Sequence, residues 1–230
     1  MKKKYQYFLQ NISLQTLAIG ILFVGSLFVF TYIADENVVE NEIAFDTRVM
    51  AFVVAQATPL LTRVMLKITF FGSMQFLLPA YIVLVVYLLL KKKSFYAIYI
   101  AIVAISSTAV MYLVKQLFKR PRPLIPVFET TDGYSFPSGH SFTSFVFCSI
   151  LAYILWTSSH KKNWKYFATF LLLLFSISIG VSRVILNVHF ATDVIASFCL
   201  GIIWVLLSFW ILNKIQRRNS GYPEIKRRIF

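Results

Sequence analysis

Six stretches of this chain run for about twenty residues without a single Asp, Glu, Lys or Arg. They are Ile12–Ala34, Ile68–Leu90, Ser94–Val114, Ser141–Ser159, Tyr166–Ser182 and Val194–Asn213. An α-helix of ~20 apolar residues crosses the ~30 Å hydrocarbon core of a bilayer. The composition demands such a place. The 230 residues are 58% hydrophobic and 14% charged, against roughly 45–50% and roughly 25% in soluble domains. One domain of this size has no interior that could hold the excess. A soluble enzyme, a disordered chain and a disulfide-stapled secreted module are thereby excluded. The expected fold is an all-α polytopic membrane bundle of six transmembrane helices, forming one membrane-embedded domain over residues 1–230. The first run follows Lys2–Lys4 but far exceeds a ~7–15-residue signal core, so it reads as an uncleaved anchor. Cys148 and Cys199 lie inside apolar runs and read as small hydrophobes, with no disulfide and no metal.

The net charge of +14 would suggest nucleic acid in a soluble protein. Here the basic residues lie between the apolar runs, where they encode topology. Six spans put both termini on one side. That side carries fifteen of the 23 basic residues (Lys2–Lys4, Lys91–Lys93, Lys161, Lys162, Lys165 and six beyond Asn213) and one acid, Glu224. Both termini are therefore expected in the cytoplasm. The basic tail 214–230 would meet anionic headgroups. Asp35–Lys67, Lys115–Pro137 and Arg183–Asp193 would face out. Within the outer loop 35–67, Val49–Thr62 is apolar but too short to span. It reads as a helix lying in the interface, with Pro59 and Arg63 near its end. It would form one wall of a lipid entrance or simply pack on the bundle.

Five outer basic residues, Lys115, Lys119, Arg120, Arg122 and Arg183, run against the positive-inside tendency. Such departures point to function. Pro121 and Pro123 restrict the backbone around Arg122, which suits a bidentate phosphate clamp with Lys115 as a point charge beside it. Lys119 and Arg120 read as an ordinary basic loop at the headgroup surface. In Pro137-Ser138-Gly139-His140, Ser138 is a good N-cap and Gly139 allows close backbone approach. The start of the fourth span offers N–H groups to an anion, with His140 at its mouth as a proton donor. In Ser182-Arg183 through His189 to Asp193, the His–Asp spacing of four can share a helical face. A carboxylate on one imidazole nitrogen leaves the other free as a nucleophile. Arg183 is a second phosphate ligand. Three cations, two histidines and one carboxylate on one membrane face are the parts of a metal-free phosphoryl transfer.

These residues resemble the type 2 phosphatidic acid phosphatase superfamily. Its motifs match Lys115 with Arg122-Pro123, Pro137–His140, and Ser182-Arg183 with His189 and Asp193. Size, span number and outer loop look like its bacterial phosphatidylglycerolphosphatase B branch, which acts on phosphatidylglycerol phosphate, undecaprenyl diphosphate and related lipid phosphates. The resemblance implies that His189 becomes phosphorylated with support from Asp193. His140 would serve as acid for the leaving group and then as base for water. Lys115, Arg122, Arg183, Ser138 and Gly139 would hold the phosphate. It implies no metal or other cofactor, sensitivity to vanadate, and an outward-facing site in a plasma membrane. The partners would be a lipid phosphate and membrane lipids, with no nucleic acid. Another class of function fits the same cations: a polyprenyl-phosphate binder or carrier that hydrolyses nothing.

Overall fold

The computed structural model describes residues 14–123 and 133–219. The basic residues before Leu14 and beyond Asn219, on which part of the orientation argument rests, lie outside the described residues. The described chain forms α1 (Leu14–Ile33) with a π-helical turn (Ala34–Val39), then α2 (Ala44–Ala55), α3 (Pro59–Phe70), α4 (Met74–Leu90), α5 (Ser94–Phe118), α6 (Gly139–Thr157), α7 (Lys162–Ile185) and α8 (Ala191–Asn219). Among the described residues there is no strand. Among the described residues, six stretches are long and apolar enough to cross a membrane: Leu14–Val39, Pro59–Leu90, Ser94–Phe118, Gly139–Thr157, Lys162–Ile185 and Ala191–Gln216. In lipid a helix satisfies its own backbone polar groups, so apolar runs of this length become helices.

Three local features differ from the sequence reading. The second span is broken: α3 and α4 meet at a turn over Phe71, Gly72 and Ser73. The interfacial helix expected over Val49–Thr62 is instead the end of α2 and the start of α3. Pro59 opens a helix rather than nearing the end of one, and the Thr58 side chain accepts from Leu61 N at 3.2 Å. Proline suits the first helical position because that N–H has no partner inside the helix anyway. Finally, the residues after Asn213 do not leave the bundle at once, since α8 continues to Asn219.

Helix α6 is the hub. It packs along α7 and α8, α1 lies on α8, α3 on α7, and α4 on α5. Phe142, Val146 and Ile150 repeat every four residues along one stripe of α6. They meet Tyr99, Ile100, Val103 and Met111 of α5 and Leu212 of α8. The outward surfaces carry rows of exposed Leu, Ile and Phe, such as Leu78, Ile82, Phe170 and Leu174. Contiguous apolar surface on that scale belongs against lipid.

Burial from lipid gains little hydrophobic free energy, so helix association depends on close packing. Gly180 on α7 is such a contact. A Cβ there would stand 2.8 Å from the Phe198 ring and 2.9 Å from Val194 Cγ1 of α8. Gly180→Val should therefore destabilise the bundle by about 1–3 kcal/mol. Gly20→Val, where nothing lies within 4 Å, should cost little more than helix propensity. Thermal unfolding of both variants in detergent checks the pair, and equal midpoints would show that α7 and α8 do not pack this way.

Candidate active site

Four helix ends converge at one end of the bundle, and each is built by a local backbone device. Helix α5 stops at Lys119, whose φ of 49° is left-handed and whose N–H returns to Lys115 O at 3.0 Å. The chain beyond it is tied back by Ser135 N donating to Arg120 O at 2.8 Å. Helix α7 ends in a Schellman motif: Asn187 takes φ 57°, and Val188 N donates to Arg183 O at 3.2 Å while Asn187 N donates to Val184 O at 2.9 Å. Asparagine tolerates that left-handed position better than most side chains. The motif turns the chain straight back, so His189 lies in the turn before α8 and Asp193 in the first turn of α8. The two were expected on one helical face; the reversal brings them together instead.

His189 and Asp193 are both buried. Nδ1 of His189 stands 3.5 Å from Asp193 Oδ2 and 3.4 Å from Ser135 Oγ. Ser135 Oγ also donates to Asp193 Oδ2, and Phe190 N donates to the same oxygen at 2.9 Å. The other oxygen, Oδ1, accepts from Arg120 Nη1 at 2.6 Å. With Nδ1 turned to the carboxylate, Nε2 is the nitrogen left for chemistry. Burial pushes the His189 imidazole down to about 4; Asp193 opposes that shift, and Arg183 and Lys115 add to it. The ring is therefore neutral at physiological pH, as a nucleophile must be.

The expected cations surround this pair. Lys115 Nζ donates to Tyr134 O at 2.5 Å. Arg122 donates through Nε to Gly133 O at 3.0 Å and through Nη1 to Val188 O at 3.4 Å. These acceptors are carbonyls, which orient a cation without cancelling its charge. Arg183 Nη1 donates to Thr69 Oγ1 of α3 at 2.8 Å. His140 lies in the field of Arg183, His189, Arg122 and Lys115. A Cβ on Gly139 would stand 3.9 Å from Lys115 Cε, so the start of α6 faces that ammonium. Ser138 does occupy the N-cap position, but its side chain makes no cap bond. Its Oγ accepts from Ser141 Oγ at 2.9 Å, and its N–H donates to Asp193 O at 3.3 Å. All eight expected residues (Lys115, Arg122, Ser138, Gly139, His140, Arg183, His189 and Asp193) thus gather at one end of the bundle. Such an arrangement can bind a phosphoryl group between cations and present a nitrogen to it.

Sequence reasoning missed five residues. Arg120, read as a headgroup-facing charge, is buried and bridges two carboxylates. Nη1 binds Asp193, and Nη2 binds Asp46 Oδ2 at 2.8 Å. Asp46 of α2 is fully buried and also accepts from Thr192, through N at 3.0 Å and Oγ1 at 2.5 Å. Ser135 and Thr69 complete the set. No motif marks these residues; the one available signal was Asp46 itself, the single acid of a mostly apolar helix.

The PAP2 superfamily model matches residues 95–217. Phosphatidylglycerophosphatase B of Bacillus subtilis (strain 168) is 30% identical over 198 residues, covering 84% of this chain and 96% of that one. Lipid A 1-phosphatase of Porphyromonas gingivalis is 33% identical over 108 residues, 47% of this chain and 22% of that protein. The crystal structure of the first transmembrane PAP2-type phosphatidylglycerolphosphate phosphatase from Bacillus subtilis superposes with a TM-score of 0.75. It is 27% identical and covers 86% of this chain and 98% of that one. Aquifex aeolicus LpxE, 23% identical with a TM-score of 0.57 over 74% of this chain and 97% of that one, shares the fold.

The buried imidazole generates a stability prediction. Between about pH 6.5, the ordinary imidazole value, and about 4, unfolded His189 binds a proton that the folded form refuses. Stability from this group is therefore complete above about pH 6.5 and is lost as pH falls toward about 4. A shift of this size is worth on the order of 3 kcal/mol. His189→Gln should flatten the acid limb of thermal stability in detergent, while an unchanged limb would show that His189 is not held neutral.

Proposed function

The chain belongs to the PAP2 superfamily, and from that premise we propose that it is an integral-membrane lipid phosphatase working through a phosphohistidine at the extracytoplasmic face of a plasma membrane. The observation that carries this reading is a buried imidazole held against Asp193, with Lys115, Arg122 and Arg183 at the same end of the bundle. Binding a phosphate needs the cations; it does not need an oriented nucleophile.

Lys115, Arg122, Arg183 and the backbone around Ser138 and Gly139 hold the phosphoryl oxygens. His189 Nε2 attacks phosphorus in line. The N–P bond forms as the P–O bond to the leaving group breaks, and His140 gives that oxygen its proton. Water then loses a proton to His140 and attacks phosphorus, releasing inorganic phosphate and restoring His189. Asp193 keeps Nδ1–H in place and supports the positive charge that develops on the ring. The three cations stabilise the charge on phosphorus that a metal would otherwise meet.

The lipid part of the reading is supported by an apolar cavity of about 260 Å³ lined by Phe71, Phe76, Leu77, Phe147, Phe175 and Ile179. Ile179 links it to the site. A Cβ on Gly72 would meet Ile179 Cγ2 at 2.6 Å and His140 Cβ at 3.2 Å, so the cavity begins one side chain from the imidazole. A hydrocarbon tail placed there leaves its headgroup at the cations. The relatives named above act on phosphatidylglycerol phosphate and lipid A. Undecaprenyl diphosphate and phosphatidic acid present the same phosphoryl group to the same residues.

The experiment is phosphate release by the purified protein from phosphatidylglycerol phosphate, undecaprenyl diphosphate and phosphatidic acid, with EDTA present. His189→Ala should lower turnover by about a thousandfold or more. Asp193→Asn should cost less, because the nucleophile remains. Release in EDTA that needs His189 supports the metal-free mechanism, and vanadate should inhibit it. Lipid binding without any release would replace this reading with that of a carrier.

A further inference from the structure

Helix α2 is docked in an unusual way. The one buried residue it contributes is a carboxylate, Asp46, while its apolar Phe45, Phe52 and Val54 are exposed. Asp46 lies on the face that also carries the partly buried Val49, Met50 and Val53, and it is the residue of that face that is fully enclosed. That charge sits one residue's reach from the proposed chemistry. Asp46 Oδ2 takes Arg120 Nη2 at 2.8 Å, and Oδ1 takes the backbone N–H of Thr192, the residue before Asp193. The same guanidinium gives Nη1 to Asp193 Oδ1 at 2.6 Å. Its plane lies over Phe190, next to His189, at 4.2 Å. Thr192 Oγ1 closes the ring by donating to Asp46 and accepting from Arg120 Nη1 at 2.9 Å.

We infer that Asp46 is a positioning residue for phosphoryl transfer: through Arg120 and Thr192 it sets the orientation and charge of Asp193, and so of His189. The inference rests on the phosphatase reading above. Two carboxylates divide one guanidinium. With Asp46 charged, Arg120 leaves Asp193 part of its negative charge for the imidazolium side of the transition state. With Asp46 neutral, Arg120 pairs fully with Asp193, which becomes a poorer partner for His189. The fork of an arginine is also what keeps both carboxylates in one plane; a lysine at that position would keep the charge and lose the bridge.

Asp46→Asn is the informative change. It retains a hydrogen-bonding oxygen for Thr192 N and leaves Arg120 and Asp193 as a balanced pair, so the fold should survive. Outer-shell partners that orient metal-ligating side chains typically contribute about 10–100-fold, and the same order is expected for a residue that orients Asp193. The expected result is a loss of that size in kcat, with KM changed less than about threefold and with normal monodispersity in detergent. Arg120→Lys should behave alike. The decisive readout is a double-mutant cycle with Asp193→Asn, followed as single-turnover phosphate release with enzyme in excess, which also resolves slow backgrounds. If Asp46 acts through Asp193, Asp46→Asn adds less than about twofold in the Asp193→Asn background. If the two losses multiply, or the loss falls on KM with kcat intact, the inference is overturned. Should Asp46→Asn fail to fold, Thr192→Val, which deletes the bridging hydroxyl, enters the same cycle under the same criteria. Absence of His189-dependent release from the parent protein would be a different result: it would overturn the phosphatase reading, and this inference with it.

Discussion

Arg120 holds two buried carboxylates with one guanidinium, and much of the site hangs from that arrangement. Its side chain is 4% exposed and those of Asp46 and Asp193 are 0% exposed. Ions removed from water to this degree are tolerated only when their geometry is good and their remaining valences are met. Both conditions hold. Each carboxylate takes one arm of the fork, and their other lone pairs take Ser135, Phe190 N, Thr192 N and Thr192 Oγ1. Helix α2, the end of α5, the segment at Ser135 and the start of α8 are thereby fixed to one another. Arg120 is the member whose loss would strand buried charge, and breaking a buried pair in that way typically costs about 3–5 kcal/mol.

The same network sets the charge of the pocket. Two carboxylates and one guanidinium sum to one negative charge, and Lys115, Arg122 and Arg183 bring three positive ones. With His189 neutral, these groups leave a surplus of two, and the protonated His140 from which the proposed reaction starts adds one, a field suited to a phosphate anion. Without Asp46 the surplus would rise and the imidazole would face a stronger field. Without Arg120 two carboxylates would repel the substrate. None of Asp46, Arg120 or Thr192 belongs to one of the three sequence motifs.

How far this was legible from sequence differs by feature. The six spans follow from length and hydropathy alone, since lipid leaves apolar runs little choice of structure. Their ends drift by a few residues because hydropathy does not mark caps. The broken second span was partly legible: Thr58-Pro59 is a helix-start signal, but the apolar run around it obscured the boundary. Residues proposed to carry the chemistry stand out by type and spacing, as Lys115, Arg122, His140, Arg183, His189 and Asp193 do. Arg120 could not be separated from Lys119, since only Arg122 is set apart, by the prolines on either side of it. What separates them is the left-handed turn at Lys119, which redirects the chain, and an acid 74 residues upstream. Neither is a local property of the sequence.

The break over Phe71–Ser73 joins the polar and apolar halves of the proposed chemistry. Before it, α3 runs against α7, and Thr69 holds Arg183. After it, α4 turns to pack on α5. Phe71 at the break and Phe76 and Leu77 of α4 then line the cavity with Phe175 and Ile179 of α7. A straight helix would follow α7 throughout and close that space. Gly72 is the residue that allows the turn to sit so near the site, because any side chain there would strike Ile179 and crowd His140. A single irregular turn thus fixes Arg183, a proposed phosphate ligand, on one side and leaves an apolar cavity on the other. In a lipid phosphatase those two positions must keep a set distance, since the substrate itself joins them. Placing both on one rigid turn is the simplest way for a helix bundle to hold that distance constant.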